Sequence, residues 1–284
     1  MKTYPALQIR DANTDRLFAA IDDLAPTAID ERDDSVRVFF STAEARDEAR
    51  SNLAPHFDVS PVEVPDEDWA RRSQDSLTPV TVGRIRVAPP WAAAQSSVSG
   101  PTSPITVVIQ PSMGFGTGHH VTTRMCLAAL QTLDLAGAFV LDVGTGSGVL
   151  AIASARLGAA RALGIDHDAD AVQSAQENLR INPAARDVTF AVGDLRTAAL
   201  PPADVVTANL TGALLVSSST ALLSAVRGGG TLIVSGLLAP ERDDVMRALT
   251  ARGETRVWEQ EEDGWVGLAM KKIVTVNRLT HLRV

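Results

Sequence analysis

The feature that most constrains this chain is the run VLDVGTGSGVLAIASARLG at 140–158. There an apolar strand pattern passes through Gly144-Thr145-Gly146-Ser147-Gly148 into a helical pattern. A glycine-rich turn between a strand and a helix brings ligand atoms close to the backbone and leaves the first N–H groups of the helix free to bind them. The surrounding periodicity fits this reading. A helix is expected over 121–133, then a strand over 139–143, a helix over 149–157, a strand over 162–166 and a helix over 169–181. Strands at 188–192 and 205–208 follow, then a helix at 213–226, a strand at 231–235, a helix at 242–251 and a hairpin of 255–259 with 265–270. Alternation of this kind predicts a mostly parallel sheet covered on both faces, with an antiparallel strand added at one edge.

The first hundred residues read differently. Strands are expected at 4–10, 27–31 and 36–40, helices at 14–24 (Leu17, Phe18 and Ile21 on one face) and 42–53, and an extended segment at 57–64. That order is the β-α-β-β-α-β of a ferredoxin-like unit. A connecting helix at 66–77, a strand at 80–87, the Ser/Gly/Pro-rich stretch 92–104 and a strand at 105–110 follow. The expected architecture is α/β, a Rossmann-like seven-stranded domain over 105–284. A small ferredoxin-like α+β domain over 1–64 precedes it, joined through a connecting segment at 65–104.

Composition narrows the classes of partner. The net charge of -8 disfavours duplex nucleic acid, which asks for a basic footprint. One cysteine, Cys126, allows no internal disulfide, and it lies in an apolar helical pattern that reads as core. No cluster suggests a metal, and no stretch suggests a membrane span or a leader, so a cytoplasmic protein is expected.

The motifs carry the chemistry. A loop of this kind suits the carboxylate tail of S-adenosylmethionine as well as a diphosphate, but its GxGxG spacing lacks the third glycine of the dinucleotide fingerprint, which tells against a nicotinamide cofactor. Gly144 and Gly146 are its candidate contacts. Asp166 ends the next strand, 22 positions beyond Gly144, and its carboxylate can accept both ribose hydroxyls. Asp168 is the better helix cap, and His167 reads as a solvent-facing neighbour. Asp194 can reach an adenine amine or serve as a turn aspartate. Asn209, after the fourth strand, can accept a hydrogen bond from a substrate amine or the cofactor. Upstream, PSMGFGTGHHVTTR at 111–124 reads as a lid over the cofactor. Its Phe115 shields the sulfonium, Gly116, Thr117 and Gly118 line the loop, and Thr123 offers a hydroxyl at the helix start. His119 and His120 read equally as a base or as cap and surface residues, and neither is assigned.

FGTGHHVTT (115–123), LDVGTGSGVLAIASARLG (141–158), GIDHDADAV (164–172), ANL (208–210), GGGTLIVSGLL (228–238) and DGWVGLAM (263–270) resemble the PrmA family of bacterial ribosomal-protein methyltransferases. The connecting segment 66–91 does so too. The resemblance implies S-adenosylmethionine as cofactor, with contacts from Thr123, Gly144, Asp166 and Asn209. It also implies an N-terminal domain that captures a large-subunit ribosomal protein, whose lysine and N-terminal amines are methylated, by an enzyme expected to be a monomer. Asn209 and Phe115 are the residues expected to position the amine and exclude water. The alternatives are an enzyme of this fold acting on a different protein lysine, or a cofactor-binding module without catalysis. A nucleic-acid base methyltransferase would carry Pro-Pro-aromatic after Asn209, where Leu210-Thr211-Gly212 stands instead.

Overall fold

The computed structural model describes residues 3–10, 17, 20–21, 24, 26–32, 35–65, 78–93, 104–111, 118–251 and 253–273. The chain divides into two compact units, Met1–Leu77 with Pro111–Phe115 and Thr78–Gln110 with Gly116–Val284.

In the first unit, strands β1 (Thr3–Arg10), β2 (Ala28–Arg32), β3 (Ser35–Phe39) and β4 (Asp58–Pro65) form an antiparallel sheet in the order β2-β3-β1-β4. This is the ferredoxin-like order. Helix α1 (Ala43–Leu53) starts where the Thr42 hydroxyl accepts the Ala45 N–H at 3.2 Å, with Glu44 in its first turn and Arg50 in its last, each complementing the helix dipole. Its buried Ala49 and Leu53, one turn apart, join Leu7, Ile9, Val38, Phe40, Leu17 and Ile21 in one core. Of the helix expected over 14–24, only Leu17, Ala20, Ile21 and Leu24 are described, and Phe18 lies outside the described residues, as does the connecting helix at 66–77.

The second unit begins with a small sheet. The single strand expected over 80–87 is instead a hairpin of β5 (Val80–Val82) and β6 (Ile85–Ala88). Gly83, at φ +54°, makes the turn. The Gln131 side chain fixes it, accepting the Arg84 N–H at 2.7 Å and donating to the Val82 carbonyl at 2.9 Å. Strand β7 (Ile105–Val108) pairs parallel with β6. A one-turn helix, Pro90–Ala93, takes the first residues of the expected 92–104 loop, and 94–103 lie outside the described residues.

Helix α2 (Val121–Leu130) then leads into a seven-stranded sheet. Its strands are β8 (Phe139–Val143), β9 (Arg161–Asp166), β10 (Val188–Val192), β11 (Ala203–Asn209), β12 (Val226–Leu238), β13 (Thr255–Glu262) and β14 (Trp265–Lys271). The order is β10-β9-β8-β11-β12-β14-β13. The first five are mutually parallel, and β14 is antiparallel to both of its neighbours, so β14 is inserted and β13 forms the edge. Asp263 and Gly264, at φ +51° and +76°, make the two-residue turn that joins them.

Helices α3 (Val149–Arg156), α4 (Ala169–Arg180), α5 (Gly212–Ser217), α6 (Ser219–Ala225) and α7 (Arg242–Leu249) cover the sheet. One apolar cluster joins α2 and α3 to β5–β7 and contains the buried Cys126; the other joins α5, α6 and α7 to the sheet. The first six residues of α3 are all buried, which is why that segment is apolar on every side. The single helix expected over 213–226 breaks at Ser218. There Ser217 and Ser219 hydroxyls donate to the carbonyls of Ala213, Leu214 and Val216, competing with continuous helix. Helix α2 stops at Leu130, short of the expected 133, as the Gln131 amide turns back onto the Leu127 carbonyl.

Candidate active site

The sheet order reverses between β8 and β11, and in open α/β sheets ligands bind outside the strand ends at such a switch point. The glycine loop follows β8 and Asn209 ends β11, so the two flank it. Two positions of the loop fit only as glycine. Gly144 has φ +71°, and a Cβ there would stand 2.5 Å from Leu210 Cδ2. Gly148 has φ +81°, and a Cβ would stand 2.7 Å from the Phe190 ring. The Gly144 and Thr145 N–H groups both donate to the Ile165 carbonyl at 2.9 Å, locking the loop against β9.

Asp166 closes the other wall. Its Oδ2 accepts the Gly146 N–H at 2.9 Å and its Oδ1 accepts the Asp168 N–H at 3.1 Å. Oδ2 keeps a further lone pair for a ligand hydroxyl, and Oδ1 also stands 3.3 Å from His167 Nδ1. Asp168 caps α4 by accepting the Asp170 N–H at 2.9 Å, and the His167 side chain is exposed. Across the switch point, Asn209 Nδ2 donates to the buried Thr123 hydroxyl at 3.3 Å, which leaves the amide oxygen as the acceptor. Thr123, Gly144, Gly146, Asp166 and Asn209 are thus brought to one end of the sheet. Gly118, at φ +84°, packs on Val87, where a Cβ would stand 2.7 Å from Cγ1. Phe115, Gly116 and Thr117 lie outside the described residues.

Asp194 follows β10 beside Asp166, through the Gly193 N–H bond to the Asp166 carbonyl at 2.8 Å. Its carboxylate is held by Arg196, at 3.0 Å from Nε and 2.9 Å from Nη2. That hydrogen bonding pulls its pKa down to about 2. His120 is the cap of α2, its Nδ1 facing the Thr122 hydroxyl at 2.8 Å and its ring edge-on to Trp265 at 5.0 Å. Burial, then the nearby Arg124, lowers its pKa, so the imidazole is neutral at neutral pH. His119 Nε2 meets the Thr78 carbonyl at 2.6 Å. His120 therefore serves the start of this helix, while the His119 ring is tied to the residues just before β5.

The chain matches the model of the family described as ribosomal protein L11 methyltransferase (PrmA) over residues 9–273. It belongs to that family. A relative from Deinococcus radiodurans named ribosomal protein L11 methyltransferase is 38% identical over 253 residues, 87% of this chain and 88% of its own length. A second relative of that name, from Halalkalibacterium halodurans, is 35% identical over 217 residues, 76% and 68% of the two chains. A crystal structure of a ribosomal protein L11 methylase from Lactobacillus delbrueckii subsp. bulgaricus superposes with a TM-score of 0.62. It shares 24% identity and covers 69% of this chain and all of that one, a likeness of fold. The protein is accordingly a methyltransferase that uses S-adenosylmethionine.

Two features of this family member escaped the reading of its sequence. Asp142, at the end of β8, is fully buried beneath the glycine loop and accepts the hydroxyls of Thr145 and Thr207, each at 2.6 Å. Burial raises its pKa to about 6 against the pull of those two hydrogen bonds. Asn178 and Asn182 on the α4 side are buried side chains bonded to backbone. A hydroxyl three residues past an Asp near a strand end, and an Asn pair spaced by four, would have been the signals. Among the described residues no group of three or more His, Cys, Asp or Glu could hold a metal, and no helix is long and apolar enough to cross a membrane.

Proposed function

We propose that this protein transfers methyl groups from S-adenosylmethionine to lysine side chains and the N-terminal amine of ribosomal protein L11. The names of its relatives support that substrate, over nearly the whole chain for the Deinococcus protein. The observation that carries the chemistry is the Thr123–Asn209 hydrogen bond at the switch point, which leaves a fixed amide oxygen beside the glycine loop.

The residues fit the cofactor. Gly144 and Gly148 stand where a Cβ would collide, and the Asp166 carboxylate faces the site as an acceptor for ribose hydroxyls. Val192, paired in register with Asp166 and 60% exposed, presents an apolar surface for a purine, with Asp194 beyond it. S-adenosylmethionine supplies a methyl group on a cationic sulfonium, open to in-line attack by an amine. The amine must be neutral, and a lysine amine titrates near 10.4 in water. A site that sheds water lowers that value, and the Asn209 oxygen then accepts an N–H and aims the lone pair. Positioning of this kind is worth several kcal/mol of barrier. Phe115 and the loop 116–118 are the water-excluding elements of this reading. Residues 1–64 are the substrate-recognition domain, 65–104 the connecting segment and 105–284 the catalytic domain.

The test is incubation with methyl-tritiated S-adenosylmethionine and ribosomal proteins from a strain lacking this gene. Label on L11 that is lost with Asp166→Ala is expected. Cofactor binding with label on another protein would reassign the substrate. A protein that binds no cofactor would overturn the reading.

A further inference from the structure

Strand β7 runs at the open edge of the three-stranded sheet, and its outward backbone groups fall on alternate residues. Side chains from the neighbouring helices meet those groups. Arg156 donates to the Thr106 carbonyl at 3.5 Å. Asn182 accepts the Val108 N–H at 2.9 Å and donates to the Val108 carbonyl at 2.6 Å, as a neighbouring strand would. Asn178, one helical turn earlier, accepts the Gln110 N–H at 2.8 Å. Asn178 does one thing more: its Nδ2 donates at 2.9 Å to the carbonyl of Ser147, inside the glycine loop. Both asparagines are buried, 0% and 3% exposed, where an unmet amide is costly. The two bonds of Asn178 run to separate stretches of backbone: one forms the cofactor loop, and the other is the last residue before PSMGFG at 111–116.

We propose that Asn178 is a positioning residue for the cofactor, a strut that sets the glycine loop against the strand entering the 111–118 segment. It touches neither cofactor nor substrate. The proposal rests on the cofactor site described above, and it is separable from it. Asn182 is the built-in comparator, because it clasps the same strand without reaching the glycine loop.

The experiment compares Asn178→Asp with Asn182→Asp. In each, the carboxylate can still accept from the strand, and the amide donor is lost. Asn178→Asp places a carboxylate oxygen against the Ser147 carbonyl, and Asn182→Asp places one against those of Val108 and Asn178. Both variants should melt several degrees lower. Only Asn178→Asp should raise KM for S-adenosylmethionine, by about tenfold, with kcat and KM for the protein substrate within about twofold. Asn182→Asp should leave the cofactor KM within about twofold. Equal effects of the two variants on cofactor KM, or an unmoved KM in Asn178→Asp, would overturn the proposal while wild-type cofactor binding upholds the site. If Asn178→Asp does not fold, hydrogen exchange on the wild type decides. Adding S-adenosylmethionine should slow exchange at the Gln110 amide together with the 146–149 amides, and an unchanged Gln110 would overturn the strut.

Discussion

Replacing Asp142 with Asn isolates what it costs to hold an ionised carboxylate beneath the glycine loop. The carboxyl titrates near 6 in the folded protein against 3.8 for the ordinary group, with burial the chief cause. It therefore keeps its proton to higher pH when folded than when unfolded. Its contribution to stability is complete below pH 3.8, declines as pH rises and is fully lost above about 6. At 1.36 kcal/mol for each pH unit the whole loss is about 3 kcal/mol, of which about 2 kcal/mol falls between pH 4.5 and 7.5. An amide cannot ionise, but it accepts only on one side, so one of the Thr145 and Thr207 hydroxyls must turn to accept. That rearrangement costs a roughly pH-independent 1–3 kcal/mol. The difference in unfolding free energy between the Asp142→Asn variant and wild type should thus shift by about 2 kcal/mol toward the variant from pH 4.5 to 7.5. Urea unfolding followed by tryptophan fluorescence at several pH values measures it, since Trp258 and Trp265 lie in the same unit. A difference that stays flat with pH, or moves toward the wild type, would refute the buried-carboxylate argument.

Three further outcomes can be checked. Gly144→Ala should lose at least tenfold in S-adenosylmethionine affinity by calorimetry, because φ +71° strains the residue and its Cβ meets Leu210 at 2.5 Å; unchanged affinity would remove Gly144 from the site. Asn209→Ala should lower kcat by about 10²-fold, the scale of a lost positioning contact, with a smaller change in cofactor KM; an effect confined to KM would make it a binding residue alone. Arg196→Ala frees the Asp194 carboxylate from its ion pair and should alter cofactor affinity several-fold, since a free carboxylate is a better acceptor for an adenine amine. A fluorescence titration showing no change would take Asp194 out of the adenine reading.

The strand-helix alternation was legible because the central strands of the large sheet are almost continuously apolar where they are buried, as all five residues of β8 are. Strands 139–143 and 188–192 lie at the positions the sequence predicts. What escaped was decided by contacts between distant residues. Gly83 turns a predicted strand into a hairpin because Gln131, far along the chain, is there to receive the turn. Three glycines at 228–230 hid the first half of β12, which tertiary pairing with β11 and β14 extends to thirteen residues. In the site, Asp166 and the glycine loop were readable since strand ends and turns announce themselves locally. Asp142, Asn178 and Asn182 were not, since polar residues at those positions look like surface until their backbone partners are known. The ion pair that engages Asp194 was within reach, because Arg196 lies only two residues away.

The chain's one cysteine gives it an unplanned instrument. Cys126 is buried in α2 against the core beside β5–β7, and burial pushes its thiol well above the ordinary value. A disulfide reagent such as a pyridyl disulfide reacts with thiolate in contact with water, so it is blind to the closed protein. Its rate of capture then counts the fraction of molecules in which this helix has opened, with no engineered label and no competing site. Because a ligand that binds only the closed form lowers that fraction by its own saturation, the same capture rate titrates cofactor binding from inside the core.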